Sequence, residues 1–245
     1  MAIKDQAEVL WAAWIGKLPR TVRERVELLG GSTEAARAAG VSPGTVRRWV
    51  REEERAIPTT MAMAIETMGG VEEAARAAGV RPRTVKEWLR KERRGAEVGK
   101  RQAKHMAKLT TAATDKYLAA RKPQGNQQTL HKAVMTSPRA RQQAMSTRRA
   151  ARMSTSGAHL SISAQVAVDT GRRQDVRWRE IDLNFRGNIM QAPTQEFLKG
   201  RDKEAIDKLS DAFGSHYAVG TGWHFREIRS MRIREFGAGH GQTFG

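Results

Sequence analysis

The chain has 245 residues, and 44 Lys and Arg stand against 26 Asp and Glu, which gives a formal net charge of +18. A charge of this sign and size favours a polyanionic partner. The absence of cysteine excludes disulfide frameworks, thiolate zinc fingers and thiol nucleophiles. No apolar run approaches the roughly 20 residues of a membrane-spanning helix, and the N-terminus lacks a signal-peptide pattern, so we expect a soluble, cytoplasmic protein without a membrane partner.

The N-terminal segment is amphipathic. Apolar side chains recur at helical spacing over residues 5–18, and Pro19 follows them. This pattern predicts a helix that ends before the proline. We expect Trp11 and Trp14 to pack on the helices that follow rather than to stack on nucleic-acid bases, and the alternative is that this apolar face binds a partner protein.

An internal duplication is the strongest feature of the sequence. Residues 31–49, GSTEAARAAGVSPGTVRRW, recur 39 positions later as residues 70–88, GVEEAARAAGVRPRTVKEW, and 13 of the 19 aligned positions are identical. A repeat of a whole segment indicates two copies of one small structural unit. Amphipathic segments at residues 21–29 and 59–68 precede the copies, and we expect each to cover the apolar side of the copy that follows.

Each copy has the pattern of a helix, a tight turn and a second helix. Gly40 and Gly79 supply the turn, because glycine adopts positive φ without strain, and a proline three residues later suits the first turn of a helix. Ser42 is predicted to cap the second helix of the first copy, and Ser32 or Thr33 to cap the first helix. Two helices crossing at such a turn form the helix-turn-helix of DNA-binding proteins, whose second helix enters the major groove.

The outward-facing side chains of the second helix in each copy are mostly basic or hydroxylic. Arginine forms bidentate bonds to guanine edges, and Lys, Ser and Thr contact phosphates. Because Arg48 of the first copy corresponds to Glu87 of the second, we expect two non-identical subsites on duplex DNA. The alternative is a solvated helical hairpin of the kind found in repeat scaffolds. The predicted DNA-binding residues are Ser42, Gly44, Thr45, Arg47, Arg48 and Arg51 in the first copy and Arg81, Arg83, Thr84, Lys86 and Arg90 in the second.

Positive charge is concentrated in residues 101–153. This segment holds 12 basic residues and a single acidic residue, Asp115. A stretch rich in Lys, Arg, Gln, Ala and Thr buries little apolar surface, which predicts a solvated helix or a mobile tether. We interpret it as a basic helical linker that contacts DNA phosphates, and the alternative is a soluble linker without a specific partner.

Beyond residue 154 the pattern becomes mixed. Alternation of apolar and polar residues, typical of half-buried strands, occurs together with helical spacing. The second alternation changes phase near Glu180, which we interpret as a bulge in the strand or as a strand that passes into a short turn. The last nine residues are expected to be disordered. The predicted elements are strands at residues 160–168, 176–185 and 227–236 and helices at residues 194–198 and 203–217.

These patterns together predict a mainly α protein with tandem helix-turn-helix units, a basic helical linker and a small C-terminal α+β domain. Pro58 marks the boundary between the two units. The predicted divisions are residues 1–56 for the N-terminal helix and first helix-turn-helix, 57–100 for the second, 101–153 for the linker, 154–236 for the α+β domain and 237–245 for the tail.

The C-terminal segment has no recognised catalytic signature. The sequence lacks a phosphate loop, a His-x-Glu pattern and a pair of His residues at four-residue spacing. His216 and His224 are interpreted as ordinary histidines, so we expect no metal site. Four carboxylates around the predicted hairpin could hold magnesium for a nuclease or recombinase, but five nearby arginines balance their charge, and we expect no catalysis by this chain alone. These carboxylates are Asp169, Asp175, Glu180 and Asp182.

Three segments occur in a fixed order along the chain. They are STEAARAAGVSPGTVRRWV in the first copy, SPRARQQAMSTRRAARMSTSG before the first strand and GSHYAVG before the last strand. In these segments and in its order of elements the chain resembles the terminal proteins of linear actinomycete chromosomes and plasmids. The resemblance extends in order over most of residues 28–236 and is closest in the helix-turn-helix and the basic segment. The family has one helix-turn-helix unit, whereas this chain has two.

The resemblance implies a protein that binds telomeric DNA and primes its synthesis. In that family a threonine hydroxyl is joined to the first deoxynucleotide, and the matching position is Thr170, after the first predicted strand. Arg172 and Arg173 would bind the nucleotide phosphates. Because a hydroxyl is a weak nucleophile, Mg²⁺ held by a partner polymerase would activate it, and the chain needs no cofactor of its own. Thr170 is equally interpreted as an ordinary turn residue. The rival hydroxyls are Thr155, Ser156, Tyr117 and Tyr217.

The resemblance also implies the partners and the location. The partners would be double-stranded and single-stranded DNA ends, a DNA polymerase and a telomere-associated protein, and the protein would be associated with the nucleoid. Two alternatives come from other classes. One is a plasmid-encoded helix-turn-helix regulator of transcription or copy number that dimerises through its C-terminal domain. The other is a metal-dependent recombinase or nuclease that uses the C-terminal carboxylates.

Overall fold

The computed structural model describes residues 6–97, 99–169, 174–217 and 222–236. Over these residues the protein is mainly helical, with thirteen helices and one small three-stranded antiparallel sheet near the C-terminus. None of the helices in these ranges is long and apolar enough to cross a lipid bilayer.

All the regular elements in residues 6–97 and 99–155 are helices. The first seven are α1 (Gln6–Ile15), α2 (Val22–Leu29), α3 (Ser32–Ala39), α4 (Pro43–Ala56), α5 (Met61–Met68), α6 (Val71–Ala78) and α7 (Pro82–Arg93). The next four are α8 (Lys100–Ala120), α9 (Asn126–Thr136), α10 (Pro138–Ala144) and α11 (Thr147–Thr155). The C-terminal domain follows with β1 (Gly157–Asp169), β2 (Gln174–Arg186), α12 (Gln191–Leu198), α13 (Asp202–Tyr217) and β3 (Gly222–Glu235).

The duplication covers three helices rather than two. Each helix of α2–α4 begins 39 residues before its counterpart among α5–α7, so the repeat includes the covering helix that precedes each copy. Both copies use the same devices at the helix ends. Thr21 and Thr60 cap α2 and α5, and Gly30 and Gly69 end these helices with φ of 99° and 95°. We call α2–α4 the first unit and α5–α7 the second unit.

One of the predicted helix caps is wrong. α3 begins at Ser32 itself, and its N-cap is Gly31, which has φ of 115° and no capping side chain. The chain leaves α2 through two glycines in succession, so the residues that we expected to cap α3 lie in its first turn instead. The predicted cap of α4 is confirmed, because the Ser42 hydroxyl accepts a hydrogen bond from the backbone N–H of Thr45 at 3.1 Å.

Small buried residues hold the helices of each unit together. Alanine has no side chain beyond Cβ, so helices that meet through alanines approach closely. After the turn, Val46 of α4 and Val85 of α7 are fully buried at equivalent positions. The buried alanines are Ala35, Ala36 and Ala39 on α3 and Ala74, Ala75 and Ala78 on α6.

Residues 101–153 are helical, as one of our two expectations had it, but they also pack against both units, which their charge did not lead us to expect. They form most of α8 and α11 and all of α9 and α10. Leu109 and Ala113 of α8 complete the core of the second unit, and Leu130 and Val134 of α9 complete the core of the first. All four are fully buried. The two residues of each pair are four positions apart and so lie on one side of their helix. A narrow apolar stripe of this kind is enough to pack the helix against a unit, but the overall composition of the segment does not reveal it.

Several cations of this segment have structural partners. Lys116 donates to the carbonyl oxygen of Met68 at 2.7 Å, at the C-terminal end of α5, where the helix dipole favours positive charge. Arg141 is fully buried, donates to the carbonyl oxygen of Phe197 at 2.8 Å and pairs with Asp202 at 2.6 Å. It thereby ties α10 to the C-terminal domain. These contacts assign to the fold part of the charge that we had assigned to DNA.

β1 is the central strand of the sheet, and β2 and β3 pair with it antiparallel on either side. β1 and β2 pair without interruption over their whole length, so the predicted bulge near Glu180 is wrong. The irregularities lie on the other side of β1, where β3 has Arg226 and Arg229 as extra residues.

One face of the sheet is covered and the other is open. α12 and α13 pack on the covered face, in one core with the alternate residues of β1 from Ala158 to Val168. The opposite, open face carries the intervening residues of β1 and their cross-strand partners, which include Trp178 and Val176 of β2. These two side chains are 40% and 38% exposed. Their presence on the open face produced the change of phase that we interpreted as a bulge.

α1 joins the first unit to the C-terminal domain. Trp11 is buried in the core of the first unit, as predicted for both tryptophans. Trp14 instead lies in the core of the C-terminal domain, where its ring stacks on Phe197 at 5.0 Å between centroids and its indole N–H donates to the Thr194 hydroxyl at 3.1 Å. One helix therefore contributes to two cores.

Candidate nucleic-acid interface

α4 presents the first group of predicted DNA-binding residues. Ser42 and Thr45 sit at its N-terminal end, where their hydroxyl oxygens are 2.9 Å apart and the Ser42 hydroxyl is already engaged as the cap. Arg47, Arg48 and Arg51 are exposed on the following turns. Arg48 lies 3.8 Å from Glu52, whereas Arg47 and Arg51 have no carboxylate partner among the described residues. Two cations on this face are therefore free to meet an anion.

α7 presents the second group at equivalent positions. Arg81 replaces the capping serine and makes no capping bond, and Pro82 is the first helical residue. Arg83, Lys86 and Arg90 are exposed, and within the described ranges none of them pairs with a carboxylate. The second unit thus presents more unpaired positive charge than the first, and an uncapped helix N-terminus adds partial positive charge to the same face.

All eleven predicted residues lie on these two helices or at their N-caps, and none is buried. Thr45 and Thr84 are half-buried and the others are exposed. The opposite face of each helix points inward, since Val46 and Val85 are fully buried. Each group is therefore brought together on one exposed helix face that is anchored from behind by its own core.

A carboxylate fixes each of these helices to the start of its unit, the buried Glu53 in the first and the exposed Glu92 in the second, and we did not predict either. Glu53 of α4 accepts a hydrogen bond from the backbone N–H of Val22 at 2.5 Å, and Glu92 of α7 accepts one from Met61 at 2.8 Å. Both partners are related by the 39-residue repeat, which is the signal that could have revealed the pair. Burial raises the pKa of Glu53, although the bond from Val22 and the charge of Arg25 oppose this shift.

A second basic surface, which we also missed, lies between α1 and β3. It is a groove of about 680 Å³ into which Arg229, Arg232 and Arg234 project beside Arg149. We call it the arginine groove. The sequence SMRIRE of β3 alternates apolar and basic residues, so the signal for a strand with one basic face was present. We interpreted this alternation only as a strand.

The predicted nucleotide-linked residue Thr170, with Arg172 and Arg173, lies outside the described residues. β1 and β2 pair as far as Asp169 and Gln174, which flank these positions. Of the rival hydroxyls, Thr155 donates to the carbonyl oxygen of Ala151 at 2.9 Å. Ser156 lies 3.5 Å from Thr155, Tyr117 accepts a hydrogen bond from Arg121, and the side chain of Tyr217 is not described.

The carboxylates considered for magnesium are engaged with neighbours. Asp175 pairs with Arg177 at 2.5 Å, and this bond holds the pKa of the carboxyl below its usual value. Glu180 accepts a hydrogen bond from the Ser163 hydroxyl at 2.5 Å. A search of the described ranges finds no group of three His, Asp or Glu side chains that could hold a metal ion. Asp182 and Asp169 also have partners.

Comparison with known proteins finds no similar family, curated protein or solved structure. The candidate interface therefore rests on the exposed cations of α4 and α7, on the arginine groove and on the sequence resemblance described above.

Proposed function

We propose that the protein binds duplex DNA through two helix-turn-helix units, with α4 and α7 as the helices that enter the major groove. The observation that carries this proposal is the repeated face of exposed cations without carboxylate partners at the N-terminal halves of both helices. Cations in this position neutralise phosphates, and arginines among them reach guanine edges. Two units in one chain allow two major-groove segments to be bound without dimerisation.

The two units would contribute differently to binding. The second unit carries Arg81, Arg83, Lys86 and Arg90 without carboxylate partners among the described residues, so it supplies the larger share of the phosphate contacts. The first unit is packed against the C-terminal domain through α1 and α10. It would therefore fix the orientation of that domain relative to the DNA.

We further propose that the protein acts at the ends of linear DNA as a primer, as the resemblance to terminal proteins suggests. Thr170 would lie in the short connection between β1 and β2, which pair up to its flanking residues. Its oxygen would bond to the α-phosphorus of a deoxynucleoside triphosphate, pyrophosphate would leave, and the hydroxyl proton would pass to a base in the polymerase site. Arg172 and Arg173 would bind the phosphates, and the polymerase would supply Mg²⁺.

Duplex binding is tested with sequences selected from a random duplex library by the purified chain. Replacing Arg83 and Lys86 by Ala removes two exposed cations of α7 and is expected to cost about 1–3 kcal/mol for each contact. The matched control replaces Lys203 and Lys208 of α13, which are equally exposed and remove the same charge. Equal affinities of the two double variants would contradict the role of α7.

Priming is tested by incubating the chain with DNA polymerase, magnesium, a telomere-end template and each labelled deoxynucleotide in turn. Label that survives boiling in SDS on the wild type and on Thr155→Ala, but not on Thr170→Ala, is the expected result. Label that persists on Thr170→Ala would assign the linkage to another hydroxyl. No label with any nucleotide would favour the plasmid-regulator alternative, which needs no nucleotide-linked hydroxyl.

A further inference from the structure

The open face of the C-terminal sheet combines features that nothing in the duplex-binding proposal uses. At one edge of this face lies the arginine groove, where Arg232 and Arg234 are exposed and form no ion pair with any described residue. The groove is lined by four arginines and one carboxylate, Glu8, which is bonded to His131 at 2.7 Å. Arg149 is paired with Glu235 at 2.8 Å, so Arg229, Arg232 and Arg234 supply the positive charge of the groove. Such a groove attracts a chain of phosphates.

A bulge directs a third arginine of the groove across the sheet. Arg229 is an extra residue of β3 relative to β1, and bulges characteristically re-aim a side chain. Its guanidinium lies 4.0 Å from the centroid of the Trp178 ring, although Trp178 belongs to β2 on the far side of β1. Trp178 remains 40% exposed in this position. The cation and the ring together form a flat platform on which a base can stack.

No described carboxylate of the open face neighbours Arg232 or Arg234 along β3, whereas Glu227 lies in the same cross-strand row as Trp178, with Gln165 between them. Glu180 and Asp182 belong to β2, and they are engaged with Ser163 at 2.5 Å and with His159 at 3.0 Å. On β3 the half-buried Glu227 pairs with Gln165 of β1, on the side of Arg229 away from the groove. The positive edge therefore runs from Arg234 through Arg232 to Arg229.

We propose that single-stranded DNA docks on this face, with its phosphates along the arginine groove and a base stacked on Trp178. A single strand fits better than a duplex because it can offer an unpaired base to the platform while its backbone follows the groove. The docked strand runs towards the end of the sheet where β1 joins β2. This surface is separate from α4 and α7, so the proposal does not depend on their role.

Binding is measured by fluorescence anisotropy of a labelled oligothymidylate of about 12 nucleotides with the full chain, a length within the known range of site sizes. The double variant Arg232→Gln/Arg234→Gln is expected to bind at least about tenfold more weakly. It should also lower the slope of log affinity against log salt by about 1.4, because about 0.7 counterion is released for each single-strand phosphate contact. The control Lys203→Gln/Lys208→Gln removes the same charge from α13 and is expected to leave both values unchanged.

The platform is tested separately. Trp178→Ala is expected to weaken oligothymidylate binding about tenfold, whereas Trp178→Phe, which keeps an aromatic face, should restore most of it. Both variants should bind duplex DNA like the wild type. Wild-type protein that does not bind oligothymidylate, or Arg232/Arg234 and Lys203/Lys208 variants that bind it equally, would overturn the proposal. The variant Arg83→Ala/Lys86→Ala separates the two binding sites. If it loses single-strand binding while the open-face variants keep theirs, the strand lies on α7 and the proposal is overturned. If it loses only duplex binding, the open face remains the single-strand site.

Discussion

The two units have the same local structure but different tertiary surroundings. Their helices begin 39 residues apart, and the first two helices of each unit end in equivalent glycines. Among the described residues, α1, α9 and α10 complete the core of the first unit, whereas α8 completes that of the second. Arg139 of α10 lies against Gly30, and Lys116 of α8 lies near the equivalent Gly69. In each unit a basic side chain thus lies beside the glycine that ends the first helix, but it comes from a different helix in each unit. The two copies therefore share their internal structure, whereas different helices complete their cores.

The largest expected effect concerns what fixes the first unit to the rest of the molecule. Arg141→Ala would remove a fully buried guanidinium from between the Phe197 carbonyl and Asp202 and leave these acceptors without their donor. Breaking a buried pair in this way costs about 3–5 kcal/mol. Urea unfolding followed by circular dichroism measures the loss, with the exposed Lys132→Ala as control. A loss no greater than that of the control would contradict the anchoring role of Arg141.

The next effect should be confined to the second unit. Leu109→Ala would open a cavity in the core shared by α8 and the second unit, at a cost of about 2–5 kcal/mol. Hydrogen exchange is expected to accelerate at the amides of α5–α8 while those of α2–α4 keep their protection. The exposed Lys104→Ala of the same helix should change neither. Acceleration spread equally over both units would mean that they open together.

A third variant makes the binding face of the second unit resemble that of the first. Glu87→Arg introduces the arginine found at the corresponding position 48 and removes the partner of Lys91, which lies 3.4 Å away. If α7 lies in a major groove, duplex affinity should rise and the salt slope should steepen by about 0.9 for one added phosphate contact. Glu66→Arg, an exposed carboxylate of α5, is the matched charge change. Equal slopes for the two variants would remove Glu87 from the interface.

The smallest effect is a dependence on pH. Because burial raises the pKa of Glu53, the folded protein holds this proton more tightly than the unfolded chain does. The stability contributed by this group therefore grows as the pH falls from above the folded pKa towards the ordinary value of about 4.5. Glu53→Gln should accordingly cost more unfolding free energy at pH 5 than at pH 7, with the exposed Glu52→Gln as control. If Glu53→Gln lowers the free energy of unfolding equally at pH 5 and pH 7, the raised pKa of Glu53 is contradicted.

The sequence could predict those helices and strands whose signals lie within a few neighbouring residues. Glycines with positive φ and a proline in the first helical turn place the helices of both units within a few residues of their predicted bounds. The strand β1 follows from its alternation in the same way. The predicted division into helical units and a small antiparallel sheet therefore rests on local signals.

Features that depend on distant contacts could not be predicted in this way. Leu109 and Leu130 lie in a segment whose composition is dominated by basic and polar residues, and only the units they pack against reveal their role. Alternation in β2 marks a strand but does not say which face lacks a cover, so the change of phase near Glu180 was interpreted as an irregularity of the strand rather than as the exposure of Val176 and Trp178 on an open face. The arginine groove requires α1 and β3, which are more than two hundred residues apart in the chain.

The two tryptophans of α1 have a thermodynamic consequence. Trp11 belongs to the core of the first unit, Trp14 to that of the C-terminal domain, and Ala12 between them lines the arginine groove. A ligand that shifts or rigidifies α1 from the groove must change the free energy of the first unit, and linkage makes this coupling reciprocal. Occupancy of the groove should therefore alter duplex affinity at α4 and leave α7, whose core does not include α1, unaffected.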